Sequence, residues 1–160
     1  MGMDVIGKAA TSEAGEYFRN NVWWWRPLAD YACEVASEIT SACEYWQSND
    51  GDGLDAAASV ALADRLQAEI DAGRTAAYAK IHTSKLEQMP NVPCRICAGT
   101  GTRLPVPHCG AGDPKAGGIR CNGCEGSGYV RPFDTNYPFS VENVQAFVAF
   151  LRACGGFEIN

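Results

Sequence analysis

Two copies of one short motif constrain this chain more than any other feature of its sequence. The first runs from Cys94 to Gly101 and the second from Cys121 to Gly128, and each reads Cys-x-x-Cys-x-Gly-x-Gly. Two facing cysteine pairs supply four soft thiolates, the ligands that tetrahedral zinc prefers. The glycines allow positive φ and close backbone approach, so that amide groups can point at the sulfur atoms. The spacing predicts one structural zinc ion, held by Cys94, Cys97, Cys121 and Cys124.

A thiol-redox centre is the alternative interpretation of the same cysteine pairs. Such a centre needs a dithiol at the start of a helix, usually beside a βαβ unit. Here both pairs lie in a stretch rich in glycine and proline, and each is followed by Gly-x-Gly, which opposes helix. The sequence therefore favours zinc, and it leaves a thiol-redox or chaperone-like role open.

The other cysteines are weaker candidates for metal ligands. Cys33, Cys43 and Cys154 fall within helical patterns, where a free cysteine usually behaves as a small buried hydrophobe. His108 and Cys109 lie midway between the two motifs, but structural zinc is already complete with four ligands. We interpret this pair as a loop feature, and the sequence does not decide whether it contributes to metal binding.

The repeated motif resembles the cysteine-rich domain of DnaJ-type co-chaperones and the related anti-TRAP proteins. The likeness covers about residues 94–128. In the co-chaperones four copies bind two zinc ions, so two copies imply a single site. The His-Pro-Asp tripeptide that defines a J-domain is absent from this sequence. The resemblance therefore implies metal-binding knuckles and does not imply co-chaperone activity.

The rest of the chain is predicted to be mainly helical. Apolar residues recur at helical spacing from Leu28 to Trp46, with Pro27 as a first helical position. Asp55 is a predicted N-cap for a second helix that ends near Gly73, a third helix covers Thr75 to Gln88, and Ser140 caps a last one. We expect a mainly α fold of about four helices, with an inserted, loop-rich zinc segment that can hold short β-hairpins.

This pattern predicts three parts in the chain. Residues 1–92 form an N-terminal helical body, 93–131 form the zinc-binding segment, and 132–160 carry a C-terminal helix that packs back on the body. The tail, with Phe157 and Ile159, packs back or forms a short strand. The acidic run from Asn49 to Gly53 lacks the opening Asp and closing Glu of a calcium loop, so it is interpreted as a helix-to-helix turn.

Three consecutive tryptophans form a second candidate site. Successive residues of a helix or strand point in different directions, so Trp23, Trp24 and Trp25 cannot all face one core. Together with Arg19 and Arg26 they are a candidate partner-binding or ligand-binding region, because Trp and Arg are enriched in binding hot spots. Packing over the core is the alternative for most of these rings.

Parts of the chain also resemble a group of small uncharacterised proteins encoded by phages, prophages and bacterial genomes. The resemblance is carried by Glu16 to Leu28, by Asn49 to Leu54, and by the ending from Val141 to Phe157. It implies an accessory protein, and a phage setting implies a host factor as its target.

Charge bears on the class of partner. The chain has a formal net charge of −6, of which the segment from Cys94 to Arg131 carries +3 and the remainder −9. A zinc ion with four thiolates adds −2, which leaves that segment near +1. This is a poor electrostatic footprint for nucleic acid. No apolar run suits a signal peptide or a membrane span, so we expect a cytoplasmic protein without membrane contact.

Motifs of catalysis are missing from the sequence. Only two histidines are present, and there is no Gly-x-Ser-x-Gly, His-Glu-x-x-His or phosphate-binding glycine loop. A deaminase-type zinc centre fails because no His-x-Glu precedes Pro93-Cys94. The sequence therefore favours a non-enzymatic zinc-binding accessory protein with a protein partner. A binder of a small nucleotide-like ligand at Trp23 to Arg26 is the alternative.

Overall fold

A computed structural model describes residues 2–103 and 118–160. It divides the chain into two compact units. The body comprises the residues up to Lys85 together with Asn136–Asn160, and the knuckle unit comprises Leu86–Thr135. The knuckle unit contains the predicted 93–131 segment and extends beyond it at both ends.

The described elements comprise a run of four consecutive helices, α2 to α5, and a run of four short strands, β3 to β6, with strands and helices mixed at both ends. A 3-10 helix covers Phe133–Asn136. In chain order the other elements are β1 (Gly2–Gly7), α1 (Glu13–Glu16), β2 (Tyr17–Asn21), α2 (Val22–Val35), α3 (Ser37–Thr40), α4 (Ala56–Asp71), α5 (Arg74–Gln88), β3 (Val92–Pro93), β4 (Thr102–Arg103), β5 (Ile119–Arg120), β6 (Tyr129–Val130), α6 (Val141–Ala153) and β7 (Phe157–Ile159).

The body opens with an antiparallel sheet that the sequence reasoning missed. Its strand order is β2-β1-β7, and Val5 of β1 lies between Phe18 of β2 and Ile159 of β7. Met3 and Val5 are buried while Ile6 is exposed, which is the alternation of a half-buried strand. The fold of the described residues is therefore mixed α/β rather than mainly α. The expected short strand at Phe157 and Ile159 is confirmed as β7.

Three of the predicted helices are confirmed together with two of their caps. α4 is capped by Asp55, whose carboxylate accepts a bond from the Ala58 amide at 2.8 Å. α6 is capped by Ser140, whose Oγ accepts from the Asn143 amide at 3.2 Å. α6 packs against α4 within the body, as expected for a C-terminal helix that returns to it. The third helix is α5, which differs from the prediction by one residue at its start.

The predicted helix from Leu28 to Trp46 is wrong at both ends. α2 begins earlier because the Asn21 side chain accepts bonds from the amides of Trp23 and Trp24 at 3.0 and 3.1 Å, which makes Asn21 the N-cap. Pro27 therefore lies inside the helix instead of at its first position. The helix ends at Val35, and the chain folds back so that the Trp46 indole donates to the Thr40 carbonyl at 3.0 Å.

An aromatic core holds the body together. Trp25 is completely buried, and its indole Nε1 donates to the Trp46 carbonyl at 2.7 Å. A buried indole needs such an acceptor for its N–H. The rings packed around Trp25 are those of Phe18, Trp46 and Phe147, with Phe150 and Phe157 completing the cluster.

Asp52 organises the acidic turn. Its Oδ2 accepts bonds from the amides of Tyr45 and Glu44 at 2.9 and 2.6 Å, and its Oδ1 accepts from the Gly53 amide at 2.8 Å. These bonds, that of Tyr45 first, hold the pKa of Asp52 below its usual range. The Asp52 carbonyl also accepts from the amide of Ile159 in β7. The turn is thus tied to the sheet through backbone bonds.

Glu69 is a buried carboxylate on α4. It is 4% exposed and forms a two-bond pair with Arg74, at 2.5 Å from Nε and 2.9 Å from Nη2. Arg65, one turn earlier, lies at 3.2 Å. The bonds from Arg74 are the main reason why the pKa of Glu69 is lowered.

No helix in the described part of the chain combines the length and the apolar character needed to cross a membrane.

Substituting Asp52→Asn should lower the free energy of unfolding of the body by about 2 kcal/mol, since a charged acceptor of three amide bonds is replaced by a group with one acceptor oxygen. Urea unfolding followed by tryptophan fluorescence measures this, because all four tryptophans lie in the body. Asp50→Asn is the matched control: Asp50 is exposed and accepts a bond from the Ser48 hydroxyl. Equal losses in the two variants would contradict the role given to Asp52.

The free energy of unfolding of the body should decrease as the pH is lowered. Asp52 and Glu69 both have folded pKa values below their ordinary ones, so the unfolded chain takes up protons first as the pH falls. Their stabilisation is complete above the ordinary carboxyl pKa of about 4 and is lost below it as the pH approaches the folded values. Urea midpoints of the fluorescence transition should therefore fall from pH 6 to pH 3, and the Asp52→Asn, Glu69→Gln double variant should show a shallower dependence.

Candidate metal centre

Four cysteine side chains meet inside the knuckle unit. The Sγ atoms of Cys94, Cys97, Cys121 and Cys124 all lie within 4.8 Å of one another. Cys94 and Cys121 are 3.9 Å apart, and Cys97 and Cys124 are 3.7 Å apart. A tetrahedron with metal–sulfur bonds of about 2.3 Å has sulfur–sulfur edges of about 3.8 Å. The donor set therefore has the dimensions to hold one metal ion, and the predicted grouping of these cysteines is confirmed.

The two motifs are related by an approximate two-fold axis. Each cysteine of the first motif faces the cysteine 27 residues later in the second. β3, before the first motif, pairs with β6, after the second, and β4 pairs with β5 in the equivalent manner. Under the same offset the pair Val92 and Val130 corresponds to the pair Ile119 and Arg103. Each side of the cysteine cluster is therefore flanked by a short antiparallel strand pair of the same arrangement.

Amide groups reach the sulfur atoms as the motif predicted. The Gly101 amide donates to Cys97 Sγ and the Gly128 amide donates to Cys124 Sγ, both at 3.3 Å. The motifs also bind each other: the Cys94 amide donates to the Gly128 carbonyl at 2.7 Å, and the Cys121 amide donates to the Gly101 carbonyl at 2.9 Å. These bonds spread the negative charge of the thiolates and fix the direction of each sulfur.

Gly101 and Gly128 admit no side chain. Their φ values are +74° and +81°, in the left-handed region that favours glycine. A Cβ on Gly101 would lie 2.3 Å from the Gly126 carbonyl oxygen, and one on Gly128 would lie 2.3 Å from that of Gly99. The last glycine of each motif is therefore required by conformation and by the close approach of the other motif.

The cluster favours a bound cation electrostatically. Burial raises the thiol pKa of Cys97, but the Gly101 amide and the neighbouring thiols outweigh it and lower that pKa to about 6. For Cys121 burial prevails, and its pKa is raised. One sulfur thus ionises easily while another resists, because burial penalises its charge and its bonds to the neighbouring sulfurs favour the protonated form. A bound cation compensates the charge of the thiolates and allows all four to ionise.

Two hydroxyl groups that the sequence reasoning missed complete the turns. Thr100 Oγ1 donates to the Cys97 carbonyl, and Ser127 Oγ donates to the Cys124 carbonyl, each at 2.7 Å. Both residues occupy the variable position of Gly-x-Gly. The available signal was that this position carries a hydroxyl in both motifs.

The tryptophan region does not form one exposed surface. Trp25 has no exposed area and belongs to the aromatic core, while Trp23 and Trp24 are half-buried. The Arg26 guanidinium lies 5.8 Å from the centre of the Tyr137 ring and donates to its hydroxyl at 3.1 Å. The Trp23 ring lies 5.1 Å from the same ring. Tyr137, which the sequence reasoning did not single out, is the residue that joins this group.

Arg19 lies apart from that group in its contacts. It is an exposed residue of β2, and its Nε is 3.9 Å from the carboxylate of Asp4 on the neighbouring strand β1. The five predicted binding residues therefore do not form one group: Trp25 lies in the core, Trp23 and Arg26 contact Tyr137, and Arg19 pairs with Asp4. The Trp24 carbonyl accepts a bond from Asn143 Nδ2 at 3.4 Å. His108 and Cys109 lie outside the described residues.

Comparison with protein-family models, with curated proteins and with solved structures finds no match to this chain.

Gly101→Ala should weaken metal binding by about tenfold or more, because the added methyl group collides with the backbone of the other motif and displaces the sulfur ligands. Gly73→Ala is the matched control, since Gly73 has a similar φ of +72° but no atom within 4 Å of the added carbon. It should cost the body about 1 kcal/mol and leave metal affinity unchanged. Competition with a chromophoric chelator and urea unfolding measure the two effects, and equal metal affinities would contradict the close-approach argument.

Proposed function

We propose that this chain is a non-enzymatic accessory protein in which one structural zinc ion stabilises the knuckle unit, and that it acts by binding a protein partner. The observation that carries the proposal is the buried set of four thiols with tetrahedral dimensions. Zinc is the metal proposed because structural zinc sites are built from such closed four-cysteine sets.

A structural role for the metal is supported by the number of ligands. Four protein sulfurs complete the shell of a tetrahedral ion, whereas catalytic zinc keeps one position for water or substrate. The cysteines are 0 to 8% exposed, so neither a substrate nor a client thiol has direct access to them. Thiol exchange requires such access, which is why a redox role has weaker support.

Exposed apolar side chains support a binding role for the knuckle unit. Its buried apolar cluster consists of the four cysteines, with Val130 packed against them. Among the described residues of this unit, five large apolar side chains are between 40 and 64% exposed: Val92, Ile96, Ile119, Tyr129 and Phe133. Apolar surface held in place by a rigid scaffold is typical of a site for a macromolecular partner. If the resemblance to phage-encoded proteins reflects origin, that partner is a host protein.

The small-ligand alternative has less support from the body. It required the rings of Trp23 to Trp25 and the guanidinium of Arg26 to be available together. Trp25 lies in the core, and Arg26 is engaged with Tyr137.

Elemental analysis of the untagged chain should give about one zinc per chain, with four thiols becoming reactive after chelation. Cys124→Ser should lower the zinc content and unfold the knuckle unit while the fluorescence transition of the body stays in place. Cys33→Ser, a change at a half-buried cysteine of α2, should keep full zinc content. A metal-free protein with a reducible disulfide among the four cysteines would overturn the proposal in favour of thiol chemistry.

A further inference from the structure

We infer that Arg131 makes the last turn of α5 dependent on the metal ion of the knuckle unit, so that metal binding and metal loss change the order of that helix end. The inference rests on the proposed function, because it requires the four cysteines to hold a metal ion. Arg131 and the residues of α5 from Leu86 onward belong to the same compact unit. The contact between them therefore forms within the knuckle unit.

The end of α5 has no left-handed cap of its own. A helix leaves its last four carbonyl groups without partners inside the helix, and a residue in the left-handed conformation just beyond its end commonly satisfies them. α5 ends at Gln88 and continues into Met89, Pro90 and Asn91, none of which has a positive φ. The Met89 amide donates to the Leu86 carbonyl at 3.3 Å. The other carbonyls of this turn are open to a donor from elsewhere in the chain.

The Arg131 guanidinium is that donor. Its Nη2 donates to the Leu86 carbonyl at 2.6 Å, and its Nη1 donates to the carbonyls of Met89 and Glu87 at 2.9 and 3.4 Å. Its positive charge also lies at the negative end of the helix dipole, where a cation is stabilising. A side chain 42 to 45 residues further along the sequence thus caps α5.

The position of Arg131 is set by the two-stranded ribbon of β3 and β6. Arg131 directly follows β6, in which Val130 pairs with Val92 of β3 and packs against the four cysteines. The Gly128 carbonyl, just before β6, accepts the bond from the Cys94 amide. The guanidinium therefore reaches the end of α5 when β6 lies in register beside the cysteine cluster.

Loss of the metal ion removes what holds this ribbon in place. In the described part of the unit, the buried apolar cluster consists of the four cysteines with Val130 against them. Metal binding by such a cluster supplies the folding free energy of the segment that contains it. Because a capped helix end and a filled metal site both need β6 in register, each stabilises the other by the same factor. The end of α5 therefore gains or loses order with the metal content of the knuckle unit.

Amide hydrogen exchange followed by NMR tests the inference on the zinc-loaded full chain, before and after chelation. In the wild-type chain, the amides of Leu86 to Met89 should exchange about tenfold faster or more once zinc is removed. The amides of Tyr78 to His82, in earlier turns of α5, belong to the body and should keep their rates within about twofold. They are the internal control.

Substituting Arg131→Gln tests whether the guanidinium carries the effect. The zinc-loaded variant should already show the faster exchange at Leu86 to Met89, and chelation should add less than about twofold. Its zinc affinity should be weaker by roughly fivefold, since the coupling is reciprocal. Arg95→Gln is the matched control, because it removes the same charge from an exposed residue of the same unit. It should leave the helix end and its response to chelation as in the wild type.

Two results would overturn the inference directly. One is exchange at Leu86 to Met89 that does not change when the wild-type chain is chelated. The other is wild-type exchange in zinc-loaded Arg131→Gln. An Arg131→Gln chain that holds no zinc at concentrations that saturate the wild type would also overturn it, because Arg131 would then serve the metal centre itself.

Zinc content measured on every sample separates the inference from the proposed function. A wild-type chain that contains no zinc contradicts the proposed function and the inference that rests on it. A chain with full zinc whose helix end does not respond to chelation contradicts only the inference.

Discussion

The knuckle unit depends on an exchange of backbone bonds between its two motifs. The first cysteine of each motif donates its amide to the last glycine of the other, at 2.7 Å for Cys94 and 2.9 Å for Cys121. Neither motif can therefore hold its sulfurs in position without its counterpart. The four-thiol geometry, the two ribbons and the exposed side chains on them all follow from this reciprocal contact.

The body is stabilised differently, by the burial of apolar side chains and by a few polar groups that form several hydrogen bonds each. Trp25 and Trp46 pack at the centre of an aromatic cluster, and each indole finds a backbone carbonyl. Asp52 accepts three amide bonds, and Glu69 accepts two bonds from Arg74. One unit of this chain thus has an extended apolar core, whereas the buried cluster of the other consists of the four cysteines with Val130 packed against them.

Cysteine spacing and capping residues correctly predicted the features that depend on contacts within a few residues of the chain. The cysteine spacing located the four thiols, and Asp55 and Ser140 located two helix starts, because caps and knuckles act within a few residues. The sheet was missed since β1 is stabilised by pairing on both edges, and one of its partners, β7, lies at the opposite end of the sequence. The start of α2 was misplaced because Asn21 competes with Pro27 as a start signal.

Features that depend on a comparison between distant positions were beyond sequence reasoning. The motif spacing does not indicate that Arg103 pairs with Ile119 in the way that Val130 pairs with Val92, because that relation lies in the strand registers. The same holds for Tyr137, whose contact with Trp23 and Arg26 spans more than a hundred residues.

The near-equivalence of the two motifs has a consequence for assembly. Each motif is complementary to its counterpart through the same bonds, so the first motif of one chain fits the second motif of another as well as its own. Two chains that exchanged motifs would bury the same thiols and bind the same number of metal ions per chain. Covalent connection within one chain keeps the local concentration of the second motif high, which favours pairing within the chain over exchange at low protein concentration.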